Sequence, residues 1–477
     1  MDPLRERSVT GDVLDSVAAA AHGYLSGVDE RPVSLPGAAE VLAELHRPLP
    51  EEGVGAAESV AELLRVTDLA ATTSSGPRFF HFVVGGSTPA AMAGDWVASL
   101  TDQVGGLWTS SPLATTLETV ALGWLKDLFG LPESWGGVLT PSATFANLTG
   151  LAAARRWWAG RHGRDVLADG LAGLPAMPVF ASGYVHPSVR KALQILGIGR
   201  DSVTVCARDD AGRIDLERLD RELAAAGGPA VVVACAGEVN TGDFDPIDAM
   251  ADVCERHGAW LHVDGAFGLF AALSPRTAPL LAGVTRANSV AADGHKWLNV
   301  PYESGFVFVR DPEVLAETFG GWGVPYLASM DDQQIDYNQL GPESSRRARA
   351  LPIWATLRAY GRDGHRAMVE RHLDVAAHLG KVVEAAPDLE LLAPVGLCIV
   401  FFRYRPDGVP EEELDELNAA VGRALLADGR VYAGTTVHRG MTAFRPAIVN
   451  WRTTETDVEL LAEVIRELGV RFVQDGR

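Results

Sequence analysis

The chain is poor in lysine, in positive charge and in cysteine, and each scarcity excludes a class of protein. Its only lysines among 477 residues are Lys126, Lys191, Lys296 and Lys381, and its formal net charge is −21 at pH 7. Because nucleic acids and anionic membranes are polyanions, a chain with a pI near 5.0 is expected to bind neither. The four cysteines have no C-x-x-C spacing, so we predict buried small side chains rather than a disulfide framework or a metal site.

Long apolar runs are also missing. No segment approaches the roughly 20 residues that a membrane-spanning helix needs, and the opening sequence MDPLRERSVTGDVLD lacks the apolar core of a signal peptide. The composition, 47% hydrophobic and 22% charged, is typical of a globular protein with a sizeable core. We therefore expect a cytoplasmic protein that acts on small molecules.

The chain is predicted to form three parts. Residues 1–70 show mostly helical patterns and are expected to form an arm. Residues 71–345 alternate short apolar runs with amphipathic stretches, which is typical of a mostly parallel sheet covered by helices in an α/β domain. Residues 346–477 are predicted to form a smaller α+β domain.

Within the middle part, the short apolar runs predict strands that are buried on both faces. The predicted strands are 179–182, 202–206, 230–236, 260–264, 289–292 and 305–309. Between them, helices are predicted over 187–196, 216–226 and 247–257, and acidic residues precede the last two as candidate caps.

Two reactive side chains follow predicted strands. In open parallel sheets, ligands collect beyond the carboxyl ends of the strands. The run WLHVD ends on Asp264, and burying that carboxylate costs on the order of several kcal/mol unless a cation or a strong donor meets it. Lys296 follows the next predicted strand, and a lysine at a cleft can form a Schiff base with a carbonyl. The structural alternative for Asp264 is an aspartate that caps the following turn.

Two other stretches offer groups for a flat, phosphorylated ligand. Thr140, Ser142 and Thr144 lie in a turn that opens a helix, and the free N–H groups of a helix start suit a phosphate. His186 stands before another helix, where its ring can stack on a flat ligand or transfer a proton. Taken singly, the hydroxyls can equally be helix caps and the histidine can be structural.

Together, a phosphate anchor, a stacking ring, a buried carboxylate and an imine-forming amine indicate pyridoxal 5'-phosphate (PLP). Asp264 would keep the pyridine nitrogen protonated, Lys296 would hold the aldehyde, and His186 would cover the ring. Nucleotide cofactors find no support, because the sequence has no G-x-x-x-x-G-K-[ST] motif and no G-x-G-x-x-G after a predicted strand.

The motifs HVDGAFG and DGHKW resemble those of the PLP-dependent amino-acid decarboxylases of the aromatic-amino-acid and glutamate decarboxylase type, often called group II. SPLATTLETVALGWLKDLFGLP, TPSATFANLTGLAAAR, VHPSVRKALQILG and SRRARALPIWATLRAYGRDG are similar to further landmarks of that family in the same order, so that the resemblance covers residues 75 to 470. It implies a PLP-dependent transferase of fold type I that acts as a homodimer on an amino acid.

The resemblance also implies roles for individual residues. Ser142, Ala143 and Thr144 would bind the phosphate, and Ala266 would lie beneath the ring. The complete set carried over to cofactor binding is Ser142, Ala143, Thr144, His186, Asn240, Asp264, Ala266, His295 and Lys296. The catalytic set is Lys296, Asp264, His186 and Tyr337.

Tyr337 and an aromatic cluster carry the remaining predictions from the resemblance. Many relatives have a loop tyrosine that protonates the carbanionic intermediate, and the spacing of Tyr337 to the arginine pair Arg346 and Arg347 suits that role. An ordinary exposed loop tyrosine is the alternative. Phe80, His81 and Phe82 stand where relatives contribute substrate-pocket residues, and Trp108 is a candidate for the same pocket. The cluster favours an aromatic substrate over an acidic one, although such side chains are often core.

The sequence thus predicts decarboxylation of an L-amino acid to an amine and carbon dioxide. A PLP-dependent aminotransferase or a decarboxylating aldehyde synthase remains the alternative, since fold and cofactor do not decide which bond to the α-carbon breaks. A non-catalytic PLP-binding module is the third possibility.

Overall fold

The computed structural model describes residues 2–321 and 334–474, which divide into two compact units. The first unit comprises residues 2–84, 377–393 and 400–474, and the second comprises residues 85–321, 334–376 and 394–399. The boundaries of these units differ from the boundaries predicted from the sequence, because the N-terminal helices and the C-terminal sheet belong to one unit. The three-part division at 70 and 345 stays a prediction.

The second unit is built on a seven-stranded, mostly parallel sheet. Its strands are β1 (Gly136–Thr140), β2 (Val179–Ala181), β3 (Val203–Val205), β4 (Val231–Cys235), β5 (Trp260–Asp264), β6 (Ser289–Asp293) and β7 (Gly305–Val309). They lie in the order β1-β7-β6-β5-β4-β2-β3, and β7 alone runs antiparallel to its neighbours. The predicted α/β class is confirmed, and β2 to β7 agree with their predicted bounds to within one residue at each end.

Helices cover this sheet. They are α4 (Pro89–Thr101), α5 (Pro112–Phe129), α6 (Ala143–Arg161), α7 (Val166–Asp169), α8 (Pro187–Ile195), α9 (Leu216–Ala226), α10 (Ile247–His257) and α11 (Glu313–Phe319). A longer helical stretch, α12 (Ala350–Ala385), is kinked at Gly361, where φ is 58°. All five residues of β4 are buried, as expected for a strand covered on both faces.

One of the two predicted acidic caps is correct. Asp215 accepts a hydrogen bond from the backbone N–H of Arg218 at the start of α9. Asp245, before α10, does not cap that helix. Its carboxylate instead accepts from Ser182 Oγ and from the N–H of Cys235, both at 2.8 Å, because it is turned back toward the sheet.

The first unit contains helices and a separate four-stranded antiparallel sheet. The helices are α1 (Thr10–Gly27), α2 (Ala38–Ala43), α3 (Ala56–Ala70), α13 (Leu414–Asp428) and α14 (Glu455–Gln474). The strands are β8 (Leu389–Leu391), β9 (Phe402–Tyr404), β10 (Thr435–His438) and β11 (Met441–Phe444), in the order β10-β11-β9-β8. The predicted smaller α+β part is recognisable in this sheet and its helices.

The prediction of buried cysteines is confirmed. All four cysteines are buried, and none of them forms a disulfide bond. No helix within residues 2–321 and 334–474 has both the length and the apolar character to cross a bilayer.

Candidate active site

Asp264, Lys296 and the start of α6 lie at one edge of the seven-stranded sheet. β1 and β6 both pair antiparallel with β7, so the carboxyl end of β1 lies on the same side as those of β4, β5 and β6. Asp264 ends β5 and Asp293 ends β6, while α6 begins just beyond β1. The N–H of Asp293 donates to the carbonyl of Ala266 at 3.0 Å, which joins the segments after the two strands. This edge is where an open parallel sheet places its ligand.

Asp264 is buried, and its hydrogen-bond donors are neutral. Oδ2 accepts from the side-chain amide of Asn147 at 3.0 Å, and Oδ1 accepts from the N–H of Ala266 at 3.2 Å. The residue is 4% exposed. No cationic side chain in the described part of the chain forms an ion pair with this carboxylate. A buried anion of this kind requires a positive charge from elsewhere.

Lys296 is held at the same edge. Its Nζ lies 2.9 Å from Asp293 Oδ2 and 5.9 Å from the ring centre of Phe267. The lysine side chain is 20% exposed, whereas the Asp293 side chain is 4% exposed. Both groups affect the pKa of the Cys235 thiol at the end of β4. Burial raises this pKa, Asp264 raises it further, and Lys296 lowers it. The lysine amine and the Asp264 carboxylate are therefore electrostatic neighbours of one thiol.

The start of α6 holds an anion. The N–H of Ala143, the first residue of this helix, donates to Oδ1 of Asp293. The backbone of Ser142 is packed against β7, because a Cβ added to Gly305 would lie 2.6 Å from the carbonyl carbon of Ser142. The hydroxyls of Ser142 and Thr144 flank the helix start, and the Ser142 side chain makes no capping hydrogen bond. This set of donors suits a phosphate.

His186 lies at the start of α8, as predicted. Its Nδ1 accepts from the N–H of Ser188 at 3.2 Å and lies 2.7 Å from the Ser188 hydroxyl. Nδ1 is thus an acceptor, and the hydrogen of the neutral imidazole is on Nε2. The ring is half-buried.

His295 and Asn240 are bound to neighbouring protein groups. His295 stacks on Tyr302 with ring centres 4.0 Å apart, its Nδ1 accepts from the N–H of Ser304, and burial lowers its pKa. The side-chain amide of Asn240 donates to Glu238 at 2.6 Å. Both residues therefore support turns beside the site, and their contact with a cofactor stays a prediction.

Tyr337 is buried, so its interpretation as an ordinary exposed loop residue is wrong. It is 2% exposed, and its hydroxyl lies 2.9 Å from Thr119 Oγ1. Its ring lies 5.7 Å from the guanidinium of Arg346, which forms a buried, two-point ion pair with Glu118. Burial raises the pKa of Tyr337. These contacts favour a role in packing around the ion pair, and its role as a proton donor stays a prediction.

The candidate substrate residues differ in exposure. In the first unit, Phe80 is a core side chain at 1% exposed, whereas Phe82 is 60% exposed. The ring of His81 lies 3.9 Å from that of Phe82, and burial, followed by the nearby Arg445, lowers the pKa of His81 to about 4. In the second unit, the half-buried Trp108 donates its backbone N–H to Asp336.

Sequence reasoning missed two residues of this site. Asn147 lies within the quoted stretch TFANLTG, and Asp293 opens the quoted motif DGHKW. No local pattern distinguishes Asn147 from other asparagines in helices, or Asp293 from other aspartates at strand ends. Only the fold brings Asn147 to Asp264 and brings Asp293 to Ala143.

These residues fit PLP. The buried carboxylate of Asp264 has neutral donors and lacks the positive charge that a pyridinium nitrogen brings. Lys296 presents a partly exposed amine, and the hydroxyls of Ser142 and Thr144 flank a helix start whose dipole suits a phosphate. A phosphorylated pyridine aldehyde satisfies all three requirements.

Gly85 is packed directly against the backbone of Lys296. A Cβ at residue 85 would lie 1.8 Å from the Lys296 carbonyl oxygen. We expect Gly85→Ala to shift the lysine, to lower the free energy of unfolding by about 1–3 kcal/mol or more, and to weaken PLP binding. Thermal unfolding and PLP titration measure both effects. Gly123→Ala in α5 is the control, since a Cβ there meets nothing within 4 Å and favours the helix. Equal behaviour of the two variants would contradict this prediction.

Comparison with known proteins agrees with this arrangement. Residues 52–405 match the model of the pyridoxal-dependent decarboxylase conserved domain. The chain is 28% identical to an aromatic-L-amino-acid decarboxylase of Bacillus atrophaeus, with 93% of this chain and 92% of that protein covered. It is 32% identical to an L-2,4-diaminobutyrate decarboxylase of Rhizobium meliloti strain 1021, with 95% and 89% covered.

A solved structure gives the same result for the fold. The crystal structure of Oryza sativa TDC with PLP and tryptamine is similar to this chain with a TM-score of 0.90 at 28% identity, and 99% of both chains is covered. The predicted resemblance, fold class and cofactor are thereby confirmed. The chain belongs to the pyridoxal-dependent decarboxylase family, as a PLP-dependent carboxy-lyase.

Proposed function

We propose that the protein decarboxylates an L-amino acid, with an aromatic side chain preferred, to the corresponding amine and carbon dioxide. The observation that carries this proposal is the buried carboxylate of Asp264, which has neutral donors and lies at the same sheet edge as the accessible amine of Lys296. This pair is suited to binding a pyridinium ring and its aldehyde.

When bound, PLP supplies an aldehyde for the substrate's amino group and a ring that accepts the electron pair released as carbon dioxide leaves. Asp264 stabilises positive charge at the ring nitrogen, an electrostatic contribution that can reach several kcal/mol. Lys296 provides the amine that holds the aldehyde before the substrate arrives. Asp293, 2.9 Å from Nζ, fixes the position of that amine.

The remaining cofactor contacts are proposed as follows. Ser142, Ala143 and Thr144 bind the phosphate at the start of α6, and Ala266 leaves room beneath the ring. His186 covers the other face. Because Nδ1 of this histidine accepts from Ser188, its Nε2–H is the group that returns a proton to the product. His295 and Asn240 complete the surroundings of the cofactor.

The preference for an aromatic substrate rests on the segment before Gly85. Phe82 is exposed and the adjacent imidazole of His81 has a pKa of about 4, so this ring pair is neutral and suits an uncharged side chain. A core role for Phe80 does not weaken this argument, since Phe82 supplies the accessible ring. Trp108 is the further candidate for contact with the substrate.

Tyr337 is the alternative proton donor, and substitution decides its role. From its buried hydrogen bond to Thr119, we expect Tyr337→Phe to lower the free energy of unfolding by about 1 kcal/mol and to leave the amine as the product. Thr119→Val removes the same hydrogen bond without changing the tyrosine and should behave alike. Denaturant unfolding and product analysis measure both. Aldehyde and ammonia from the phenylalanine variant alone would instead assign the proton transfer to Tyr337.

The reaction and its substrate are tested together by product analysis. Purified protein with PLP is incubated with each common amino acid, and the products are identified by mass spectrometry. Carbon dioxide with a primary amine from an aromatic amino acid supports the proposal. A keto acid that requires an amino-group acceptor would identify an aminotransferase, an aldehyde would identify an aldehyde synthase, and turnover of none would favour a non-catalytic PLP-binding module.

We also infer a homodimer in the cytoplasm as the working state. The family resemblance supports the dimer, and the acidic composition without long apolar runs supports the compartment. Light scattering after size-exclusion chromatography tests the dimer, and a single-chain mass would overturn it.

A further inference from the structure

One buried amide connects two of the protein groups proposed to contact the cofactor ring. Asn147 lies near the start of α6 and has no exposed surface. Its amide nitrogen lies 3.0 Å from Asp264 Oδ2 and 3.2 Å from Ser188 Oγ. The Ser188 hydroxyl in turn lies 2.7 Å from Nδ1 of His186. The amide therefore donates one hydrogen to the carboxylate of Asp264 and the other to Ser188, which contacts His186.

The orientation of this amide is fixed from its oxygen side. The indole Nε1 of Trp260 can only donate, and it donates to Ser289 Oγ at 3.0 Å. The Ser289 hydroxyl hydrogen then goes to His262 Nδ1 at 2.7 Å. The imidazole hydrogen is left on Nε2 and is donated to Asn147 Oδ1 at 2.8 Å. This direction of donation agrees with the nitrogen of Asn147 facing Asp264, whose carboxylate can only accept.

Burial keeps this chain of hydrogen bonds neutral. His262 has no exposed surface, and burial lowers its pKa to about 4 although Asp264 acts in the opposite direction. The imidazole therefore carries one hydrogen at neutral pH, which is the number that the chain requires. A second hydrogen would remove the acceptor that Ser289 needs.

A neutral donor has a specific advantage at this position. Lysine or arginine would hold the Asp264 carboxylate firmly, but the ion pair would weaken its attraction for a protonated ring nitrogen. The amide of Asn147 sets the direction of the carboxylate and leaves its negative charge uncompensated.

We propose that Asn147 is a positioning residue for the cofactor ring: its amide holds Asp264 directly and His186 through Ser188 in the arrangement that receives the ring. This inference rests on the proposed function, in which both groups contact PLP. It adds a residue that acts through others and touches no reacting atom.

The test uses Asn147→Ala, with PLP affinity of the apoprotein and the pH dependence of the visible absorbance as readouts besides activity. We expect PLP binding to weaken about 10- to 100-fold, as is common when a supporting hydrogen bond is removed from a site. The visible band should persist because Lys296 is intact. The pH midpoint of this band should rise. When Asp264 is misplaced, the ring nitrogen loses its proton, and its positive charge then no longer opposes a positive charge on the Lys296 nitrogen beside Asp293. The kcat should fall more than KM changes.

Asn418→Ala is the matched control for loss of a buried amide. Asn418 also has no exposed surface and makes three hydrogen bonds, to the N–H and carbonyl of Tyr404 and to the carbonyl of Leu414, all within the first unit. We expect it to lower thermal stability while PLP affinity and the pH midpoint stay within about twofold and 0.2 units of wild type. The same result for Asn147→Ala would overturn the inference and assign Asn147 to packing alone.

Gly150→Ala provides a second variant if Asn147→Ala does not fold. A Cβ at residue 150 would lie 2.9 Å from Cε1 and 3.0 Å from Nδ1 of His262, so it displaces the imidazole while every polar group remains. We expect the same changes in PLP affinity and pH midpoint, to a smaller degree. Wild-type values of both, with crystallographic evidence that His262 has moved, would overturn the inference.

Failure of this inference differs from failure of the proposed function. If the wild-type protein binds PLP but no amino acid is decarboxylated, the proposed reaction fails, and the PLP affinity of Asn147→Ala still tests the positioning role. If amines form and Asn147→Ala matches Asn418→Ala, only the positioning role fails.

Discussion

Lys296→Ala will lose the visible absorbance band of the lysine-bound cofactor and at least about a thousandfold of its decarboxylation rate. The reason is chemical: the side chain that holds the aldehyde is absent, and alanine cannot form a covalent bond to it. In the wild-type protein this amine is held in place by Asp293, whose Oδ2 lies 2.9 Å from Nζ. Absorbance spectra of the protein reconstituted with PLP and rates of carbon dioxide release measure the two effects.

The scarcity of lysine gives this experiment a clean control. Lys381 is exposed on α12 and lies in a different compact unit from Lys296. Lys381→Ala should keep both the band and the rate. An unchanged spectrum for Lys296→Ala would refute its assignment as the aldehyde-binding residue.

Asp264→Asn will retain part of its PLP but lose about 10²- to 10³-fold in kcat. Asparagine preserves the shape of the side chain and a hydrogen bond to the N–H of Ala266, but it removes the negative charge that stabilises a protonated ring nitrogen. The electron pair left by carbon dioxide then meets a poorer acceptor. Steady-state kinetics at saturating substrate, together with PLP titration, separate the loss of rate from the loss of cofactor.

Asp245→Asn is the matched control for removing a buried carboxylate. Burial raises the pKa of Asp245 to about 7, despite hydrogen bonds from Ser182 and the N–H of Cys235, so this group is already partly neutral near pH 7. Its substitution should change kcat by no more than a few fold. Near-normal turnover of Asp264→Asn would remove the electrostatic argument for that residue.

An element of the fold was predictable where its hydrophobic pattern is typical of one kind of secondary structure. Strands such as β4 and β5 are short apolar runs that are buried on both faces, and their bounds were predictable to one residue. β1 was not predicted as a strand, because the run GGVLT begins with two glycines and directly precedes the turn that was predicted to bind phosphate. The cap predicted for Asp245 was wrong, because an acidic residue before a helix pattern gives no sign that tertiary contacts turn it toward Ser182.

The site was predictable where a residue's chemistry is unusual for its place in the chain. Lys296 is one of few lysines and follows an apolar strand, and Asp264 ends another, so both were identified from their positions. Asn147 and Asp293 were missed, since an asparagine in a helix and an aspartate at a strand end are common. Tyr337 was interpreted from its spacing, which does not report that its hydroxyl is buried against Thr119.

The amino-acid sequence by itself determined the α/β class, the family motifs and the candidate partners of the cofactor, because hydrophobic period and reactive residue type are local properties. Only the tertiary structure decided which groups share a hydrogen bond. It brought residue 147 to residue 264 across 117 positions of sequence and brought residue 293 to the start of α6 across 150 positions. Such pairings depend on the order of strands in the sheet, and that order is set by packing between segments that are distant in the chain.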